Sequence, residues 1–424
     1  MQATIAPQAA FAAGEIDGTG SIGFGTGGYG VGGYGSPSLQ DYFPRTWSLS
    51  AWGQHLIANS RGGGLHAWTN DTAARAAPIA NSPANVRFAL VAPQEMLFAF
   101  VCNEEVSGAY NPLCIRHSSV RNNTQWHTAA DTTSREYILP GGGEIVGARV
   151  MGPHLLVWTS NGLFLGQFVG SLTQPWRFDR VGDKCGLIGP NAVVVVGQRA
   201  FWISPDRQFH VYGLGGAPQA LPCPIRKAFA DNLAASQSDK IMASSNSAFA
   251  EIRFDYPDMR DGEGVENSRY LTMIIEGEDV GAWGQGEMAR TAMLDAGPTS
   301  YPIGVTPGGN IYWHERGRSA DAAPLAWFIE SADQVMDDEL SMEINEIRPD
   351  FKDQVGGVTM TMTSRYEAQG DEVVEVAPVM APGDDKVDAH LDGRYFRIRF
   401  EGSSAPASCR IGAVVLDAVP GWTR

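Results

Sequence analysis

The chain has 424 residues and a formal net charge of −16, from 31 Lys and Arg against 47 Asp and Glu. That balance argues against tight nucleic-acid binding, because gripping phosphates takes Lys and Arg to displace counterions. No apolar run approaches the roughly 20 residues of a membrane span and the N-terminus has no basic-then-apolar signal pattern, so no membrane anchor is expected; fifty glycines and eleven tryptophans point away from helical bundles, towards short strands joined by tight turns.

Residues 1–45 read as an extended arm. Within it GFGTGGYGVGGYGSP places Phe24, Tyr29 and Tyr34 at steps of five. Neither helix nor strand puts a step of five on one stripe, and glycine at this density disfavours both interiors. The rings are expected to act singly, each filling a pocket on another surface as a subunit contact; the plainer reading is a flexible low-complexity leader.

From residue 46 to about 318 the chain alternates strand and turn. HLLVWTSNGLFLGQF places Trp158 before a Ser-Asn-Gly turn, and VVVVGQRAFWISPDRQFHVYG places Trp202 before a Ser-Pro-Asp turn. The 44-residue spacing is that of a propeller blade and fits about six times into 46–318, with MLFAFVCNEEVSG an earlier copy. AEIRFDYP alternates Ala250, Ile252, Phe254 and Tyr256 with Glu251, Arg253 and Asp255, which predicts a half-buried antiparallel strand with the charged set outward. NIYWHERG, after the Pro-Gly-Gly of 307–309, repeats the hairpin pattern. PCPIRKAFADNLAASQ is the one helical segment, with Ile225, Phe229 and Leu233 on a single stripe.

Beyond residue 319 the alternating strands GGVTMTMTSRYEA and DGRYFRIRFEG and the more continuous CRIGAVVLDAV predict a smaller domain over 319–424, resembling a β-sandwich. The expected fold is therefore all-β: a propeller of about six blades, a C-terminal sandwich-like domain and the N-terminal arm.

Chemistry is harder to find. The arm holds G-x-G-x-x-G at Gly18/Gly20/Gly23, Gly23/Gly25/Gly28 and Gly28/Gly30/Gly33, but a dinucleotide site needs a strand before it and a helix after it. There is no G-x-x-x-x-G-K-[ST], H-E-x-x-H or G-x-S-x-G. Cys102, Cys114, Cys185, Cys223 and Cys409 are odd in number without C-x-x-C spacing, which reads as buried thiols in a reducing compartment. The eight histidines show no metal spacing. His314 beside Glu315 and Arg316 is the sole local acid–base cluster, read as a turn network. Asp255, Asp258 and Asp295 read as solvated loop acids rather than a glycosidase pair, and Trp47, Trp52 and Trp68 as core rather than a carbohydrate platform. No catalytic, cofactor or metal residue is nominated, and no enzyme activity is expected.

RTWSLSAWGQHLIANSRGGGLHAW, GDKCGLIGPNAVVVVGQRAFWIS, LPCPIRKAF, AEIRFDYPD, WGQGEMAR, IYWHERG, IRPDF, DGRYFRIRF and RIGAVVLDAVPGWTR together resemble the tail nozzle proteins of short-tailed bacteriophages, also described as tail tubular protein B or tail hub proteins. The resemblance covers roughly residues 41–424. It implies a virion protein, assembled in the host bacterial cytoplasm, that forms a hexameric ring about the tail axis. Its implied partners are a tail adaptor and tail fibres or spikes, with double-stranded DNA passing through the ring. An acidic lumen would keep phosphates moving. This chain is much shorter than some nozzle members, which puts their extra domains in doubt here. A different class of reading is a host-surface glycan-binding or glycan-hydrolysing propeller of the tail; a third is a cytoplasmic interaction propeller.

Overall fold

Turn chemistry sets the first hairpin of three of the repeats, the first, third and fourth. Gly53, Gly152 and Gly197 sit at φ +59°, +57° and +61°, each opening a two-residue turn between paired strands. Positive φ there matches the twist of the flanking strands, and glycine reaches it without a steric cost. The computed structural model describes residues 46–277, 279–335 and 340–423. The proposed contact residues Phe24, Tyr29 and Tyr34 lie outside them.

Within each sheet up to His314 every strand pairs with its sequence neighbour. The first sheet holds β1 (Trp47–Trp52), β2 (His55–Ser60), β3 (Leu65–Trp68) and β4 (Ala77–Pro78); the second β5 (Phe88–Ala92), β6 (Met96–Asn103), β7 (Tyr110–His117) and β8 (Arg135–Ile138). The third holds β9 (Ile145–Met151), β10 (His154–Thr159), β11 (Gly162–Phe168) and β12 (Trp176–Asp183); the fourth β13 (Val193–Val196), β14 (Arg199–Ile203), β15 (Phe209–Gly213) and β16 (Gln219–Leu221). Helix α1 (Arg226–Asn232) and a 3-10 turn (Ala235–Lys240) lead to the fifth sheet, β17 (Met242–Asn246), β18 (Glu251–Pro257), β19 (Asn267–Glu276) and β20 (Asp279–Glu287). The sixth has three strands among the described residues, β21 (Ala292–Leu294), β22 (Ile303–Val305) and β23 (Ile311–Trp313).

The first strands of these sheets, β1, β5, β9, β13, β17 and β21, touch one another in that order. Six up-and-down sheets meeting through their first strands make a six-bladed β-propeller, in which neighbouring blades cover each other's faces. The cores sit between blades. Trp158 on β10 and Trp202 on β14, fully buried second-strand equivalents, meet edge to face at 5.5 Å between blades three and four. Phe229 and Leu233 bury the apolar stripe of the helical segment against the same cluster.

The chain forms two compact units, one ending at His314 and the other beginning at Glu315. The C-terminal unit has two sheets. One runs β24 (Trp327–Glu330), β30 (Tyr395–Gly402), β27 (Thr359–Arg365), β28 (Val373–Val376), with β25 (Gln334–Val335) also on β30. The other runs β29 (Val387–Gly393), β26 (Leu340–Val355), β31 (Ser408–Thr423). Ile344, Ile347 and Leu391 from the second sheet bury against Met360, Met362, Phe396 and Phe400 from the first, which is a sandwich core.

Two expectations need correction. In β18 the charged set does not face water: Arg253 and Asp255 are buried, while Ala250 is an exposed turn residue at φ +50°. The fifth blade is covered on both faces, so the strand tolerates charge only where it is paired. Likewise CRIGAVVLDAV, read as a continuous apolar strand, is the edge β31, with Val415 and Val419 exposed on one face.

Candidate functional site

In a propeller the residues ahead of each first strand gather at one mouth of the ring. Arg87 precedes β5, Glu144 precedes β9 and Asp239 precedes β17. Arg61 follows β2, which runs antiparallel to β1, and so reaches the same end; its N–H donates to Thr46 O at 2.9 Å. Arg61 Nη1 donates to Asp239 Oδ2 at 2.6 Å, and Arg87 Nη1 donates to Glu144 Oε2 at 2.5 Å. Burial works to lower the Arg87 pKa, yet Glu144 and Asp239 hold it above its usual value. Two cations and two anions thus cancel in a compact belt. The backbone closes in as well: a Cβ added at Gly189 would lie 2.4 Å from Ser238 O. These pairs make this end of the propeller a structural joint between blades.

A concavity lies on blade two. It is an open cleft of about 540 Å³ lined by Asn81, Glu105, Arg116, Gln125, Trp126 and His127 among others. His127, 83% exposed at its side chain, places Nδ1 2.7 Å from Glu105 Oε1. Burial opposes ionisation of Glu105, but two hydrogen bonds from Thr128 together with Arg116 and His127 hold its carboxyl below the usual range. The carboxylate fixes the exposed ring through Nδ1. That is the positioning half of an acid–base device; the lining adds no second carboxylate to work across a glycosidic bond.

A Ser-His pair that the sequence reading missed sits in the β14–β15 hairpin. His210 Nε2 lies 3.0 Å from Ser204 Oγ, and both residues are buried. Ser204 Oγ also bonds Asp206 Oδ1 and the Gln208 carbonyl. A hydroxyl whose proton goes to the Asp206 carboxylate receives a proton from the imidazole, the reverse of a general base activating a nucleophile. With the His210 ring stacked on Trp202 at 5.4 Å, the group is a hairpin strut. The signal was in the sequence as Trp202, Ser204, Asp206 and His210, but spacing alone carries no proton direction.

The acids named as loop carboxylates are placed differently. Asp255 is fully buried and chelated by Arg253, whose Nη2 donates to Oδ1 at 2.6 Å while the guanidinium lies 3.8 Å from the Tyr270 ring centroid. Burial pushes the Asp255 carboxyl up against the pull of Arg253. Asp258, also fully buried as a residue, is chelated by Arg260 through Nε at 2.8 Å and Nη2 at 2.6 Å. Asp295, half-buried, accepts from the hydroxyls of Ser245 and Ser247 at 3.0 and 3.1 Å. His314 does not close on a local turn network: its Nε2 accepts from Arg290 Nε at 2.8 Å, and burial with two nearby arginines lowers its pKa to about 4. Trp47 is 44% exposed and Trp68, half-buried, donates Nε1 to the Asp71 and Ala74 carbonyls outside the core clusters, whereas Trp52 packs against the core of blades one and two. All five cysteines are free thiols, and Cys102 and Cys114 place their sulfurs 3.9 Å apart. Among the described residues no group of three or more His, Cys, Asp or Glu is placed to hold a metal ion, and no helix is long and apolar enough to cross a membrane.

The sandwich presents a different feature. Edge strand β28 pairs only with β27 among the described residues and leaves Val373, Val374 and Val376 exposed, with Val379 beyond it. An apolar open edge is a template for another chain.

No family model matches the chain, and no curated protein does. Among solved structures it is similar to the computationally designed Ika8 protein, with 10% identity and TM-score 0.39 over 64% of this chain and 70% of that one. It is similar to Hsv2 of Kluyvelomyces marxianus, with 8% identity and TM-score 0.38 over 79% and 97%. A chain of the Mitotic Checkpoint Complex gives 12% identity and TM-score 0.39 over 62% and 74%. The fold assignment rests on the sheets and their order.

Proposed function

We propose that this protein is a structural subunit of a bacteriophage tail, forming a ring of the nozzle or hub type through which DNA is retained and released. The observation that carries the reading is the open apolar edge at β28, surface suited to a neighbouring chain rather than to substrate. Three features support it. The Arg61–Asp239 and Arg87–Glu144 pairs tie blades together at one end of the propeller, and DNA would pass through the lumen between subunits. The chain's −16 charge, multiplied round a ring, would discourage phosphates from lodging. The acids and histidines of the propeller that sequence reading singled out are engaged in structural pairs. The ring would be hexameric, dock a tail adaptor and carry fibres or spikes, with Phe24, Tyr29 and Tyr34 as subunit contacts.

The test is electron microscopy of the purified protein and of particles, beside the variants Val374→Lys and a chain lacking residues 1–40. A closed six-fold ring, weakened by either change while each chain stays folded, is the expected result. A persistent monomer that associates with no particle would end the reading.

A second reading, a glycan-binding or glycan-cleaving tail propeller, is favoured by the Glu105–His127 pair in the blade-two cleft. A glycan array and a polysaccharide-cleavage assay on the wild type and His127→Ala decide it.

A further inference from the structure

The four-stranded sheet of the C-terminal unit ends in an open strand on each side. Among the described residues β24 pairs with β30 alone and β28 with β27 alone. Phe328 and Ile329 on β24 are 62% and 56% exposed, and Val373 and Val374 on β28 are 59% and 56% exposed. Successive residues of a strand point to opposite faces, so exposure of both members of each pair leaves both faces of each edge uncovered. The second sheet of the sandwich does not shield these side chains.

Strand direction makes the two edges partners. β24 and β27 each run antiparallel to β30, and β28 runs antiparallel to β27, so β24 and β28 run opposite ways. Both are four residues long. When a second copy is laid alongside in the same orientation, β28 meets β24 antiparallel and the alternation continues across the junction.

We propose that β28 of one chain pairs antiparallel with β24 of a second copy, a head-to-tail contact that joins the sandwich sheets of neighbouring subunits into one. This contact rests on the ring reading and supplies the junction between its subunits. Two different surfaces meet in it, so each added chain presents a fresh edge and the series runs on until rotation closes it. One junction gains ladder hydrogen bonds and covers Phe328, Ile329, Val373 and Val374 together. A two-fold pair of β28 edges would leave β24 bare. Charge opposes it too: between Arg365 and Lys386 the chain has six acids and no Lys or Arg, so two β28 segments would set like charge against like. β24 is of mixed charge. Its Phe328 ring lies 4.0 Å from the guanidinium of Arg399, which Glu330 and Glu401 also engage.

The test is size-exclusion chromatography with light scattering on the full chain and on Val374→Lys and Ile329→Lys, each alone and then mixed. Both positions are exposed, so the substitutions should leave the chain folded, which thermal melts check. Wild type is expected to assemble, and each variant alone to run as a single chain. An equimolar mixture is expected to give a two-chain species and nothing larger, because the intact β24 of Val374→Lys meets the intact β28 of Ile329→Lys and both remaining edges are blocked. If Ile329→Lys still forms dimers while Val374→Lys does not, the contact is a two-fold β28 pair and the proposal is overturned. An assembly that survives both substitutions overturns it while leaving the ring reading to other surfaces. A monomeric wild type overturns it as well, and association with particles then decides the tail reading separately.

Discussion

Arg61 and Asp239 are 178 residues apart in the chain and 2.6 Å apart in the fold, their side chains 4% and 15% exposed. The pair joins blade one to the lead-in of blade five. Removing one partner leaves a buried charge uncompensated, which costs roughly 3 kcal/mol. Arg61→Ala and Asp239→Ala should each lower the urea midpoint, and the double variant should lose much less than the sum. Strict additivity would mean that the contact does not join the ring.

His117 is buried between Phe98 and Tyr137, donates Nδ1–H to the Ser118 carbonyl at 2.9 Å, and has no acceptor for a proton on Nε2. Burial lowers its pKa to about 4. The unfolded chain therefore binds a proton near pH 6.5 that the folded chain refuses until about pH 4. Stability is complete above pH 6.5 and declines as pH falls towards 4, by up to about 3 kcal/mol from this residue. Urea melts at pH 7 and pH 5 should show the decline, and His117→Phe should reduce it. An unchanged slope in the variant would assign the pH dependence elsewhere.

Trp158 and Trp202 occupy equivalent positions but different hydrogen-bonding situations. Trp202 Nε1 donates to the carbonyls of Cys185 and Gly186, at 3.0 and 3.2 Å; Trp158 Nε1 is buried without a partner. Trp202→Phe thus strands two carbonyls as well as leaving a void, and should destabilise by roughly 1–2 kcal/mol more than Trp158→Phe. Paired thermal melts give the comparison, and equal losses would contradict it.

Thiol reactivity should divide the five cysteines. Cys102, Cys114 and Cys185 are buried, and the neighbouring Cys102 with burial pushes the Cys114 thiol well above its ordinary value. Since the thiolate is the reactive form, native labelling with a thiol reagent should reach Cys223 and Cys409 first. Rapid labelling of Cys102 or Cys114 in the folded chain would contradict the packing of blade two.

Repetition and turns were legible in the amino acids alone. Trp158 and Trp202, 44 residues apart, marked equivalent strands of adjacent blades because a repeat must rebuild the same packing each time. The apolar stripe of Ile225, Phe229 and Leu233 marked the helical segment, and the alternation of β27 and β30 marked the second β-rich part. These are local signals, carried by side-chain period and glycine.

What a residue faces depends on which blade covers it, and that the tertiary structure alone decided. Arg253 and Asp255 alternate as a solvated face would, yet the fold encloses both and pairs them. Ser204 and His210 sit near each other in the chain, but only the position of Asp206 assigns the direction of the proton. The Arg61–Asp239 joint had no local trace, because ring closure brings together residues whose sequence separation carries no period. Alternation reports which side of a strand a residue takes; only packing determines whether that side is wet.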